Sequence, residues 1–197
     1  MQNMPIIRCI LVLLAGAACS ASSSTAPLPP QSPCYFPMKV GTKWVYQYGD
    51  KETVQVLTAI EAIDGAIIVT VTEQRPEPDL PRYEKIAVSD KGLFVFETCE
   101  GVIKVAHKDC LLKLPHKAGQ TWKEAPASPT EPGKYTSYGP ELVEVPAGKY
   151  QAIRVVLEYD GTPPDRVTTW YAPNVGMVKW AIGDRARVLK SFTPPVK

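Results

Sequence analysis

Five cysteines, two histidines and a scatter of carboxylates are the side chains of this 197-residue sequence whose chemistry could define a function. A metal site would gather His, Cys and carboxylates from neighbouring strands, and His107, Asp109 and Cys110 form the one grouping that approaches such a set. His116 has no partner at ligand spacing. Glu141 and Glu144 fall on opposite parity of one stretch, which is poor geometry for an acid and base acting together. No Gly-x-Ser-x-Gly elbow, phosphate-cradling glycine loop or Cys-x-x-Cys pair occurs. The expectation is a non-enzymatic protein with no cofactor and no metal, a hydrolase being the most distant alternative.

The cysteines speak first about location. Met1 to Ala18 carries one positive charge at Arg8, an apolar run from Ile10 to Leu14, and small residues directly before Cys19. That is the pattern of an export signal, too short to span a bilayer, and a Cys after small residues is the acceptor of a bacterial lipoprotein. Gly16 stands where that pattern usually has Leu, and cleavage at Ala15-Gly16-Ala17 to give a soluble secreted protein is the alternative. Lipidation of Cys19 would make a membrane of the cell envelope, periplasmic or surface-facing, the first partner. Residues Ser20 to Pro33 have almost nothing to bury, so 19–33 reads as a lipidated Cys plus a disordered tether, reaching roughly 40 Å if extended. In an oxidising compartment Cys34, Cys99 and Cys110 make one disulfide a reasonable expectation. Cys99 with Cys110 would lie at opposite ends of a hairpin turning at Glu100-Gly101, and Cys34 with Cys110 competes; both pairings, and no bridge, stay open.

Charge excludes a further class. The net charge of +2 has no long run of one sign behind it, so the footprint of a nucleic-acid-binding protein is missing. Twenty Pro, thirteen Gly and nine Tyr suit a chain of short strands and frequent turns.

The elements that must position any site follow a period of two from Thr42 onward. Apolar alternation predicts strands near 43–48, 52–63, 66–74, 82–89, 93–99, 102–108, 120–123, 135–145, 150–159, 166–172, 177–181 and 185–192. Asp64-Gly65, Asp90-Lys-Gly92 and Asp160-Gly161 are hairpin turns, and 125–133 is a surface loop. Residues 34–197 thus read as a single all-β domain: a curved antiparallel sheet of about ten to twelve short strands, a half-barrel or barrel-like meander with no long helix apart from the signal segment. One pattern occurs twice, Pro37-x-Lys-x-Gly41-x-x-Trp44 and Pro115-x-Lys-x-Gly119-x-x-Trp122. Pro fixes one dihedral, Gly permits a positive one and Trp offers apolar surface, so each copy is expected to be a strand-entry corner with a buried ring.

Tyr35 to Tyr46, Leu112 to Trp122, Val145-Pro-Ala-Gly-Lys-Tyr150 and Trp170 to Lys179 together resemble the TapB-like group of exported bacterial β-proteins, often lipoproteins. The resemblance spans nearly the whole domain and implies an architecture related to the half-barrels of LolA and LolB. It carries no catalytic residues; by analogy of fold, it implies an apolar concave face able to hold a lipid-like small molecule.

Aromatic residues are the remaining lead. Trp44, Tyr46 and Tyr48 share a strand face, and Trp170 and Tyr171 fall on opposite faces of another, so Trp44, Tyr46, Tyr48 and Trp170 are candidate ligand-lining residues. Filling a core is the competing role for such rings. The expected function is binding of a hydrophobic ligand or an envelope partner, and the alternative is a scaffolding module with a filled interior.

Overall fold

The computed structural model describes residues 34–63, 66–75, 81–123, 133–159 and 166–195. The signal segment, Cys19, the tether, Asp64-Gly65, Asp160-Gly161 and 125–132 of the loop lie outside the described residues.

Alternating sequence becomes β1 (Lys43–Tyr48), β2 (Lys51–Ile63), β3 (Ala66–Gln74), β4 (Arg82–Ser89), β5 (Gly92–Glu100), β6 (Ile103–Lys113), β7 (Thr121–Lys123), β8 (Gly133–Val145), β9 (Gly148–Tyr159), β10 (Arg166–Ala172), β11 (Gly176–Ile182) and β12 (Arg185–Thr193). All belong to one antiparallel sheet ordered β6-β5-β4-β3-β2-β1-β12-β11-β10-β9-β8-β7. The chain is therefore two six-strand meanders, β1–β6 and β7–β12, joined where β1 pairs β12. Each meander opens on one copy of the repeated pattern. The all-β curved sheet expected from alternation is the architecture observed. β6 runs on to Lys113, beyond the expected end at Lys108, and so carries the chain straight to the second corner.

Both copies of the pattern build the same corner. The Thr42 amide donates to Lys39 O at 3.2 Å and the Gln120 amide to Lys117 O at 3.0 Å, with Gly41 at φ 89° and Gly119 at φ 78° between them. A positive φ at the third position of a four-residue turn is a type II turn, which is why glycine stands there. Each glycine amide then donates to the adjacent strand, Gly41 to Leu57 O at 2.8 Å and Gly119 to Ser137 O at 2.7 Å.

Curvature comes from bulges, since an extra residue on one strand bends it and raises its twist. Registers shift at Val45/Tyr46, Leu57/Ala59, Lys85/Ile86, Leu93/Phe94, Val95/Glu97, Tyr138/Glu141 and Trp170/Tyr171. The sheet curls far enough that Trp122 on edge strand β7 donates from Nε1 to Cys110 O on the other edge strand, β6, at 2.8 Å. Among the described residues no ladder joins β6 to β7, so the sheet is not closed.

The expectation of a disulfide is corrected: Cys34, Cys99 and Cys110 are free thiols. Cys99 faces Lys104 across the β5–β6 hairpin while Cys110 faces Phe94, so the two are separated along its length. Cys34 enters before central strand β1, where its thiol donates to Phe36 O at 2.9 Å and its carbonyl accepts the Asn174 amide, whereas Cys110 belongs to edge strand β6.

Candidate functional site: the cavity of the curved sheet

Inward-facing residues of both meanders surround a cavity of about 500 Å³, partly open to solvent. Trp44, Val71, Ile86, Leu93, Val95, Tyr135, Val155, Leu157, Tyr171 and Met177 supply apolar walls, and Phe36, from the segment before β1, lies among them. The polar lining is sparse: Gln55, Glu84, Thr98, Asp109, Thr169 and Arg187. Pairing explains the grouping, because residues opposite one another on neighbouring strands share a face. Val155 pairs Thr169, Thr169 pairs Trp180, Trp180 pairs Arg187 and Arg187 pairs Tyr48, a single inward row across five strands. A second row joins Val71, Glu84 and Thr98.

The aromatic residues are pinned by their polar ends rather than left free to collapse into the space. Trp44 is 2% exposed, sits between the rings of Phe36 and Phe192 at 5.7 and 6.1 Å, and donates from Nε1 to Val175 O at 2.7 Å. Tyr46 donates its hydroxyl to Met177 O at 2.8 Å. Burial pushes the ionisation of both Tyr46 and Tyr171 well above the ordinary tyrosine value; for Tyr46 that outweighs the opposing pull of Arg187. The Arg187 guanidinium lies over the Tyr46 ring, 4.5 Å from its centroid.

Of the residues singled out in the sequence, Trp44 and Tyr46 line the cavity. Tyr48 continues the inward row beside Arg187 but stands beyond the cavity lining. Trp170 is corrected as a lining residue: it pairs Arg154 and Lys179 on the outer face, donates from Nε1 to Glu141 Oε1 at 2.7 Å and carries Lys179 over its ring at 4.9 Å. Trp122 is half-buried rather than buried, because β7 is a three-residue edge strand; its ring stacks on Tyr135 at 5.3 Å. Pro37 and Pro115 precede the two turns and Gly41 and Gly119 form them.

The chemistry-bearing groups stay apart. Glu141 accepts from Arg154 on the outer face while Glu144 meets Lys149 at 3.3 Å. Burial lowers the pKa of His116, whose Nε2 is buried without a hydrogen-bond partner in the second corner. Burial raises the Cys110 thiol to about 11. Among the described residues no three of His, Cys, Asp and Glu converge at metal-binding distance, and no helix is long and apolar enough to cross a membrane. The His107 side chain lies outside the described residues.

Arg187 and Glu84 were missed by the reading of motifs, although a signal existed. Arg187 shares strand parity with buried Leu189, and Glu84 with Ile86 and Val88, so each is a charge on an otherwise apolar face.

No family model matches the chain, and no curated protein matches it in sequence. Two solved structures share its architecture. One is a protein of Parabacteroides distasonis inferred to be a lipoprotein, 14% identical, TM-score 0.51, the match covering 82% of this chain and 99% of the other. The other is an inferred exported protein of Bacteroides fragilis with a YmcC-like fold, 13% identical, TM-score 0.55, covering 82% of this chain and 100% of that one. At such identities the likeness is one of fold: this chain is similar in fold to a YmcC-like β-protein.

Proposed function

We propose that the protein is an exported, lipid-anchored protein of the bacterial cell envelope that binds an apolar small molecule inside its curved sheet and catalyses no reaction. The cavity carries the reading. Its volume of about 500 Å³ falls among those of small-molecule sites, its walls are mostly apolar, and a few polar groups converge on it. A scaffolding module would fill that space with its own rings; here Trp44, Tyr46 and Tyr171 line the space and leave it open. A volume set inside the curled sheet, partly open to solvent, favours a small ligand over an envelope protein partner.

Export rests on the signal-like run before Cys19 and the Ser- and Pro-rich tether. It is supported by the inferred lipoprotein and exported protein that share the fold, and by the resemblance to the TapB-like group and to the half-barrels of LolA and LolB. Native mass spectrometry of protein purified from its own membranes tests the reading: a co-purified apolar molecule, and saturable binding of a fluorescent fatty acid to the delipidated protein, are expected. Absence of both would overturn it. Cys19→Ala is expected to move the protein from the membrane to the soluble fraction, and an unchanged distribution would defeat the anchor.

A further inference from the structure

Arg187 holds an unusual position for a cation. It shares its face of β12 with fully buried Leu189, and it lines the cavity between Trp180 on β11 and Tyr48 on β1. Its charge is met by the π-face of Tyr46, 4.5 Å away. A ring face offers the N–H groups no oxygen or nitrogen acceptor. Two of the side chain's nitrogens, Nε and Nη2, are buried with no hydrogen-bond partner. A buried donor left unmatched is costly, and one attached to a charge more so.

Those two nitrogens share one edge of the guanidinium. Side by side they present parallel N–H bonds, the fork that meets two oxygens of one carboxylate or phosphate. The remaining walls are mostly apolar, and among the described residues that line them Arg187 is the one cationic side chain. Glu84 and Asp109 also line it, from β4 and β6, and one guanidinium fork matches one anionic head.

We propose that Arg187 is the head-group anchor of the cavity and that its ligand is an amphiphile bearing a single negative charge on an apolar chain, a carboxylate or a phosphate monoanion. The proposal rests on the reading of the cavity as a ligand site and adds the ligand's charge. The guanidinium turns its Nε–Nη2 edge, closed to water in the empty cavity, onto the head while the chain lies against Val155, Leu157 and Val71.

The test uses the delipidated mature protein and four probes: palmitate, hexadecyl phosphate, hexadecanol and hexadecyltrimethylammonium. Each is titrated by displacement of a fluorescent fatty acid. Wild type is expected to bind an anionic probe roughly tenfold or more tighter than hexadecanol, and the cation least. Arg187→Gln should remove that preference, bringing the anionic probes down to the level of hexadecanol in the same variant, and Arg187→Lys should keep part of it. Preference between palmitate and hexadecyl phosphate separates the two head groups. Equal binding of anion and alcohol by wild type, tightest binding of the cation, or an Arg187→Gln variant with unaltered preference would each overturn the anchor while leaving an apolar site standing. Failure of every probe would overturn the ligand site itself. Since Arg187 also stacks on Tyr46, thermal unfolding of each variant is read alongside, and the wild-type comparison of anion with alcohol holds whether or not a variant folds.

Discussion

The two corners share an eight-residue pattern and a backbone hydrogen-bond scheme, yet they finish in different surroundings. The first feeds β1, a central strand with ladders to β2 and β12, and its Trp44 is buried between Phe36 and Phe192. The second feeds β7, an edge strand laddered to β8, and its Trp122 spans the seam to Cys110. Equal local sequence thus gives equal turns, and position in the sheet decides what the ring does. One indole completes a core; the other latches two edges that never form a ladder.

A smaller difference shows how the same polar requirement is met from different strands. In the first corner the Thr42 hydroxyl donates to Lys39 O at 2.7 Å. Gln120 holds the matching place in the second and has no hydroxyl; there Ser137, fully buried on β8, donates to Lys117 O at 3.2 Å. Leu57 occupies the place of Ser137 beside the first corner, accepting the glycine amide through its carbonyl and giving its side chain to the core.

Substitutions at paired positions sharpen the contrast. Trp44→Ala should cost about 3 to 5 kcal/mol in chemical unfolding, the range for a large ring removed from a packed core. Trp122→Ala should cost less, about 1 to 3 kcal/mol, from lost stacking and one hydrogen bond. Equal losses would mean that the seam is packed as tightly as the centre. Thr42→Val and Ser137→Ala should each cost about 1 kcal/mol, since Lys39 O and Lys117 O still accept a backbone amide; a loss at one corner alone would break their equivalence.

Alkaline titration probes the interior between the corners. Tyr46 and Tyr171 ionise above the ordinary 10.0 in the folded protein because burial disfavours the phenolate. The unfolded chain therefore loses these protons first as pH rises. Their contribution to stability is complete below about pH 10 and falls above it, which denaturant midpoints across that range will read. Cys110, raised from 9.0 to about 11, adds the same sign of dependence beginning near pH 9.

Much of this architecture was legible in the chain because strand period and turn chemistry are local. Ile153, Val155 and Leu157 alternate with Arg154 and Glu158, and all five fall on the faces their parity assigns. The bulges were not legible: residues such as Thr58, without a register partner on β3, and Phe96, without a register partner on β4, carry no local mark of it, and only the curled sheet requires them. The seam was equally hidden, since β6 and β7 meet through curvature rather than through a turn. The site was legible by half. Trp44 and Tyr46 stood out as aromatics on one face, whereas Trp170 is equally aromatic and faces outward, and Arg187 belongs to no motif, its side of β12 being set by its parity with buried Leu189.

The central claim is that the space enclosed by the two meanders receives a ligand. Val155 lines that space and is nearly fully buried, so Val155→Phe adds volume inside the cavity while leaving both corners and the seam in place. Titration of a fluorescent fatty acid into wild type and Val155→Phe, with thermal midpoints recorded on the same samples, is the most direct measurement. Saturable binding by wild type that is lost in a variant of unchanged or higher midpoint is the predicted result; binding of equal strength in both would place the ligand elsewhere and contradict the account.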